Sequence, residues 1–403
     1  MEIETNKKNV MLLKVAITLL FASIILPTNI KTIAVVFFAC VVLSTISYTK
    51  FVFRKGYFLY STLFFFVLIL SSLYSDNKTY ALRKVTSMSS LVIFPFLFSL
   101  LTKDIKSIVK SWKPLLLKVY IFSVFSFNIL PFLYLWFTNY TFSEMIIHYA
   151  TIVRVDFGKF GIHPIYLSMH TSLAILFSFF VILNTTSKRL MALILAIDII
   201  LISFLLLYAK KGPLIALCLI LFLALFFKRR DKFFKPFLIS IIVLVGLTIA
   251  VPKTRNKFIE LFKMENVQDS TINSTNIRYG IYESAIDVIS KAPLLGYGIG
   301  DYNDVLYEQY KVEGSKVLME GRYNAHNQYL SFLIMGGLVV FVLFVFYLLL
   351  SIVLGIRFDN QLLILTIIFY GVVMFTENIL ERESGVLYFS LLTSYFSLFN
   401  SKE

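Results

Sequence analysis

Cysteine is nearly absent. Cys40 and Cys218 both fall inside apolar runs, without the spacing of a metal site or a disulfide framework, and read as small buried hydrophobes. Charge is scarce as well, at 15% of residues, while 58% are hydrophobic, 42 are Phe and the mean hydropathy is +0.82. That balance excludes a soluble domain and marks an integral membrane protein. No small-residue cleavage site follows the first apolar run, so it reads as a membrane helix and not as a removable leader. No strand precedes the glycines of GYGIG and no P-loop occurs, so nucleotide binding is not expected; no zinc-type His/Glu or Cys spacing occurs either, so no metal or other cofactor is expected. At mid-membrane, acids are limited to Asp198 and little else, and no internal repeat is evident, which weighs against a transporter or flippase.

What the chain has in quantity is continuous apolar sequence. The runs are about 17–25 residues long and do not alternate, so they predict helices and not barrel strands. The fold class expected is all-α: a polytopic membrane protein of about twelve transmembrane helices. Their approximate positions are 10–26, 32–48, 57–73, 85–101, 114–137, 164–183, 190–208, 213–227, 236–251, 327–354, 361–375 and 385–399. Pro95 is a candidate kink, and Trp112 and Trp136 mark the ends of the fifth run.

Basic residues set the orientation. Lys7, Lys8 and Lys14, then Lys50, Arg54 and Lys55, then Lys103, Lys106, Lys110 and Lys113 lie on alternate connections. Lys188, Arg189 and the cluster Lys228, Arg229, Arg230, Lys232 and Lys235 follow on the same side, which is expected to be cytoplasmic, with both termini. The formal charge of +15 is therefore read as topology and not as a nucleic-acid surface. Residues 1–251 group as nine membrane helices, 252–326 as one long helical outer loop, and 327–403 as three more helices. The loop carries its own basic residues, which suit either attraction of an anionic substrate or plain solvation.

Chemistry is expected around that loop. Ile277, Ile281, Ala285, Val288 and Ile289 recur near helical spacing, predicting an amphipathic helix over 275–290 with Arg278 near its start. An Arg beside free N–H groups suits phosphate, though an interfacial Arg can also simply reach for headgroups. The glycines 296, 298 and 300 predict a turn between two loop helices, and Asp301 could cap the second. His326 stands where a long apolar helix begins, a position suited to a proton acceptor or merely to an interfacial ring, and Asn324 and Asn327 could orient it. Lys210 and Lys211, before Gly212 and Pro213, form either an anion site or a pair of interfacial anchors. Glu377 and Glu381, four apart, could act as acid or base, pair with cations, or cap helices. His148, His163 and His170 carry no metal-type spacing.

Arg278, then Pro293, Gly296 and Gly298, then His326, Asn327 and Leu330 together resemble the O-antigen ligase and O-antigen polymerase superfamily of bacterial envelope glycan enzymes. In that family a periplasmic loop between the ninth and tenth helices carries an Arg, a P-x-x-G-x-G turn and an HN-x-x-L segment. The resemblance implies a GT-C type fold in the bacterial inner membrane. It also implies metal-independent transfer of a glycan from an undecaprenyl-diphosphate-linked donor to an acceptor hydroxyl, lipid A core for a ligase or another lipid-linked glycan for a polymerase. It assigns the diphosphate to Arg278, with Lys210 and Lys211, and the base or positioning role to His326. Where the family has Arg before Gly at the start of the eighth helix, this chain has Lys211-Gly212, which supplies charge without the planar fork.

Overall fold

The structure, a computed structural model, describes residues 2–24, 26–46, 53–155, 163–227, 234–262 and 272–400. Lys50, Lys228, Arg229, Arg230 and Lys232, used above for orientation, lie outside the described residues. Every regular element among the described residues is helical. In chain order these are α1 (Glu2–Ala22), α2 (Thr28–Ile46), α3 (Lys55–Leu70, extended by a 3₁₀ turn Ser71–Leu73), α4 (Lys78–Met88), α5 (Ser90–Ser99), α6 (Lys103–Ser111), α7 (Lys113–Thr138) and α8 (Phe142–Val155). Next come α9 (Pro164–Leu183), α10 (Lys188–Tyr208), α11 (Lys211–Phe227), α12 (Phe234–Ala250) and α13 (Pro252–Ile259). The last six are α14 (Ser274–Lys291), α15 (Tyr302–Val312), α16 (Lys316–Gly321), α17 (Gln328–Arg357), α18 (Gln361–Val373) and α19 (Glu383–Ser397). Seven helices among the described residues are long and apolar enough to cross a membrane, and Lys211–Phe227, Ile241–Ala250 and Gln361–Val373 are shorter apolar helices. The all-helical, multi-pass architecture is therefore as expected, and the count of twelve spans stays a proposal.

Two helices occupy stretches that the sequence marks only as polar connections. α8 lies within 138–163 and α6 within the basic stretch after residue 101. Each is amphipathic: Met145, Tyr149, Ile152 and Val153 form the buried face of α8, and Ile105 and Val109 that of α6. Their charged faces conceal the periodicity in a search for continuous apolar runs.

The chain divides into two compact units, 1–53 with 100–255, and 54–99 with 256–403. In the first, α9 is buried along almost its whole length, so the few polar side chains of this mostly apolar helix, His170 and Thr171 among them, are buried too. α7, α10 and α11 pack against it. Several polar groups inside this unit pair with one another. The Tyr208 hydroxyl donates to Asn128 Oδ1 at 2.7 Å, Asn128 Nδ2 reaches Thr171 Oγ1 at 3.2 Å, and the Tyr120 hydroxyl lies 2.8 Å from His170 Nδ1. These bonds stitch α7, α9 and α10 together where no water would compete.

In the second unit α17 packs on α3 and α18, α19 on α5 and α18, and α14 lies against α17. The sequence predicts one straight helix over 327–354, whereas the structure breaks it at Gly337, whose φ of 62° and ψ of −161° are far from helical. The halves fold back on each other. Tyr329 stacks near Phe341 and Phe344, with ring centroids 6.4 and 6.1 Å apart, and Phe332 lies 4.9 Å from Phe344. In a straight helix, Tyr329 and Phe344 would stand roughly 22 Å apart along the axis. The start of α17 therefore sits beside residues 341–344 and beside the end of α18, where Gln328 N donates to Met374 O at 2.9 Å.

Candidate active site

α14 begins cleanly because Asn273 Oδ1 accepts from Thr275 N and Asn276 N at 2.9 and 3.0 Å. Ile281, Ala285 and Val288 form its buried face, at the spacing the sequence shows. Arg278 leaves the second turn half-buried, with Nη1 donating to Ser274 O at 3.2 Å. One turn on, the Tyr282 hydroxyl lies 2.7 Å from Phe375 O and 3.2 Å from His326 O, joining α14 to the segment after α18 and to the segment before α17. Burial pushes the Tyr282 phenol above its usual range, so it remains a donor.

The glycine turn does more than separate two loop helices, for it plugs the break in α17. Tyr297 N and Gly298 N donate to Ile334 O and Met335 O at 2.8 Å each, while Leu338 N and Val339 N donate to Pro293 O and Leu294 O at 2.8 and 3.4 Å. The turn thereby caps the end of the first half-helix and the start of the second, groups a broken helix leaves unpaired. Gly296 and Gly298, with φ of 65° and 94°, allow this close approach: a Cβ on Gly296 would overlap Ile334 O. The following residues fasten to the end of α3, with Ile299 N donating to Ser71 Oγ at 3.0 Å and Gly300 N to Ser75 Oγ at 2.9 Å. Asp301 does not cap α15 with its side chain as expected. Its carboxylate instead accepts from Asp76 N and Asn77 N at 2.7 and 2.8 Å, because those free N–H groups at the start of α4 face it.

His326 lies two residues before α17, in the left-handed region at φ 43°. Asn324 Oδ1 accepts from its backbone N at 3.2 Å, and Asn327 Oδ1 caps α17 through Tyr329 N and Leu330 N at 2.9 and 3.2 Å. Both asparagines thus hold the backbone around His326 and not its ring. The ring partner is Glu377, whose Oε1 lies 3.4 Å from His326 Nδ1, close in distance but off the line of a hydrogen bond. Glu377 Oε2 lies 4.0 Å from Arg278 Nη2. A buried carboxylate thus stands between a guanidinium and an imidazole contributed by different segments. Arg278 Nε and His326 Nδ1 are both shielded from solvent without a hydrogen-bond partner among the described residues.

Glu381 points into a different cluster. It accepts from Lys84 Nζ at 2.8 Å, from Asn378 Nδ2 at 2.6 Å and from the Tyr302 hydroxyl, and its side chain is almost fully buried. Lys84 is thereby a residue of α4 with a buried partner. Lys84→Ala leaves that carboxylate charged and buried, and is expected to destabilise the protein by about 3 kcal/mol. Denaturant unfolding of the detergent-solubilised protein measures this, and a loss under about 1 kcal/mol, the worth of a surface pair, contradicts it.

Lys210 and Lys211 belong to the first unit. Ala209, left-handed at φ 49°, ends α10, and Lys211 is the first residue of α11, so both cations stand at a helix start as the sequence predicts. Two site features escape the sequence. Tyr282 has one available signal, its i+4 spacing from Arg278, and Gly337 has another, the Gly336-Gly337 pair within an apolar run.

None of the curated proteins matches the chain. A family model described as O-antigen ligase matches residues 196–345. That stretch holds Lys210, Lys211, Arg278, the glycine turn and His326, and it ends before Glu377. Over that stretch, rather more than a third of its length, the chain is similar to the O-antigen ligase family.

Proposed function

We propose that the chain is an O-antigen ligase-type glycosyltransferase. It moves a glycan from an undecaprenyl-diphosphate-linked donor to a hydroxyl of lipid A core, on the outer side of the bacterial inner membrane, with both termini cytoplasmic. The observation that supports this best is the grouping of Arg278, His326 and Glu377, drawn from α14, the start of α17 and the segment after α18. A lipid diphosphate is already a competent leaving group, so transfer needs a base for the acceptor and cationic stabilisation of the departing charge, without a metal. The acceptor hydroxyl gives its proton to the free ring nitrogen of His326 as its oxygen bonds the anomeric carbon. The bond from that carbon to the diphosphate oxygen breaks, and Arg278 faces the charge left on undecaprenyl diphosphate. Glu377, whose carboxylate lies beside Nδ1, offsets the positive charge as the imidazolium forms.

Lys210 and Lys211 are proposed as further diphosphate-binding cations, on the strength of their place at the start of α11. Lys211→Arg is expected to keep transfer within about threefold of wild type, since charge is retained and a fork is added. A well-expressed but inactive Arg variant removes Lys211 from the role.

The deciding assay is the banding of surface polysaccharide from cells lacking the protein, with and without the wild-type gene. Unmodified lipid A core together with accumulated lipid-linked polymer identifies a ligase. Single repeats on the core with loss of the ladder identify a polymerase of the same superfamily. Failure of any lipid-linked glycan to reach the outer face identifies a transporter and overturns the enzymatic proposal.

A further inference from the structure

The turn that plugs α17 has an apolar outer surface. Leu294 and Leu295 are 64% and 61% exposed, on a segment whose backbone faces inward to the helix break. Exposed leucines side by side on a loop call for a covering partner.

Helix length indicates what that partner is. Below the break, α17 runs from about residue 338 to Arg357, about 20 residues or roughly 30 Å, which is the thickness of a bilayer's hydrocarbon core. The neighbouring span Lys55–Leu73 has 19 residues, roughly 28 Å, and also has its basic end away from the turn. Its last residues reach the same turn, where the Tyr74 hydroxyl donates to Leu295 O at 2.6 Å. Two helices measured from separate basic ends therefore bring the turn to one level, the far edge of the hydrocarbon.

The surface is also continuous with a lipid-facing stripe. Leu338, Val342, Phe346, Leu349 and Val353 are exposed along one face of α17, and Leu338 N is bonded to Pro293 O at the foot of the turn. The carbonyls of Pro293, Leu294 and Leu295 all accept hydrogen bonds from protein donors, which lowers the cost of bringing that backbone to the edge of the lipid.

We propose that the 293–298 turn is seated in the bilayer, with Leu294 and Leu295 among the upper acyl chains of the leaflet away from Lys55 and Arg357. The occupant of this surface is bulk lipid, and Tyr74 marks the interface beside it. Through the turn's bonds to α17, the bilayer edge then sets the height of the loop that carries Arg278. The proposal depends on α3 and α17 being transmembrane and is independent of glycan transfer.

The test uses the full chain in lipid nanodiscs, with Cys40 and Cys218 replaced by Ala and a bimane label placed on Leu294→Cys or Leu295→Cys. Ile286→Cys, exposed on α14, is the aqueous control. Quenching by acyl-chain nitroxide lipid is expected at 294 and 295. Their quenching by aqueous iodide is expected to be at least about tenfold weaker than at 286, in line with the burial of a leucine. Iodide quenching equal to that at 286 overturns the proposal. Protection from both quenchers also overturns it, since protein would then cover the turn in place of lipid.

Discussion

His326→Ala is expected to abolish glycan transfer while the protein accumulates to its normal level. Removing a positioned general base lowers a rate by about 10²–10⁴-fold, enough to erase the polysaccharide ladder in the complementation assay. The side chain is not expected to matter for stability. Its ring makes no hydrogen bond among the described residues, and α17 keeps its cap from Asn327. Arg278→Ala is expected to fail through loss of charge stabilisation, by about 10²–10³-fold. Glu377→Gln keeps the volume but removes the charge beside the ring, and should fall between wild type and His326→Ala. Normal glycan display with His326→Ala refutes the assigned base, and low abundance of the variant would shift His326 to a structural role.

Gly337→Val is expected to cost roughly 5 kcal/mol: up to about 3 from a β-branched residue forced to positive φ, and the rest from weakening the turn's backbone bonds. A Cβ at this position overlaps Leu294 O and crowds Leu295 N, so the turn must withdraw from the break. Four N–H to carbonyl bonds between the turn and α17 weaken together. Thermal unfolding in detergent should show a large loss, and glycan transfer should fall with it because the turn continues from the helix that carries Arg278. An unchanged melting temperature would mean that α17 does not fold back here. Gly246 serves as the control, since a Cβ there meets nothing and alanine should be nearly neutral.

The contrast between these two glycines shows where sequence reading stops. Both lie in apolar runs and look alike in one dimension. Gly337 differs because a segment some forty positions upstream occupies the space its side chain would need, and that contact is not encoded locally. Glu377 and Glu381 behave the same way. Four residues apart and chemically equivalent, they face Arg278 with His326 in one case and Lys84 with Tyr302 in the other. Asp301 likewise has the right position for a cap, yet its carboxylate goes to the start of α4.

Periodicity and apolar length, which act within a few turns of helix, were enough to define the all-helical membrane fold, the boundaries of α9, α10 and α14, and the identity of Arg278 and His326 as candidates. The partner of His326, the buried pair of Lys84 and the reversal of α17 were decided only by tertiary structure. Each is a contact between segments distant in the chain, where the geometry of packing, not local propensity, selects which charges meet and where a helix must break.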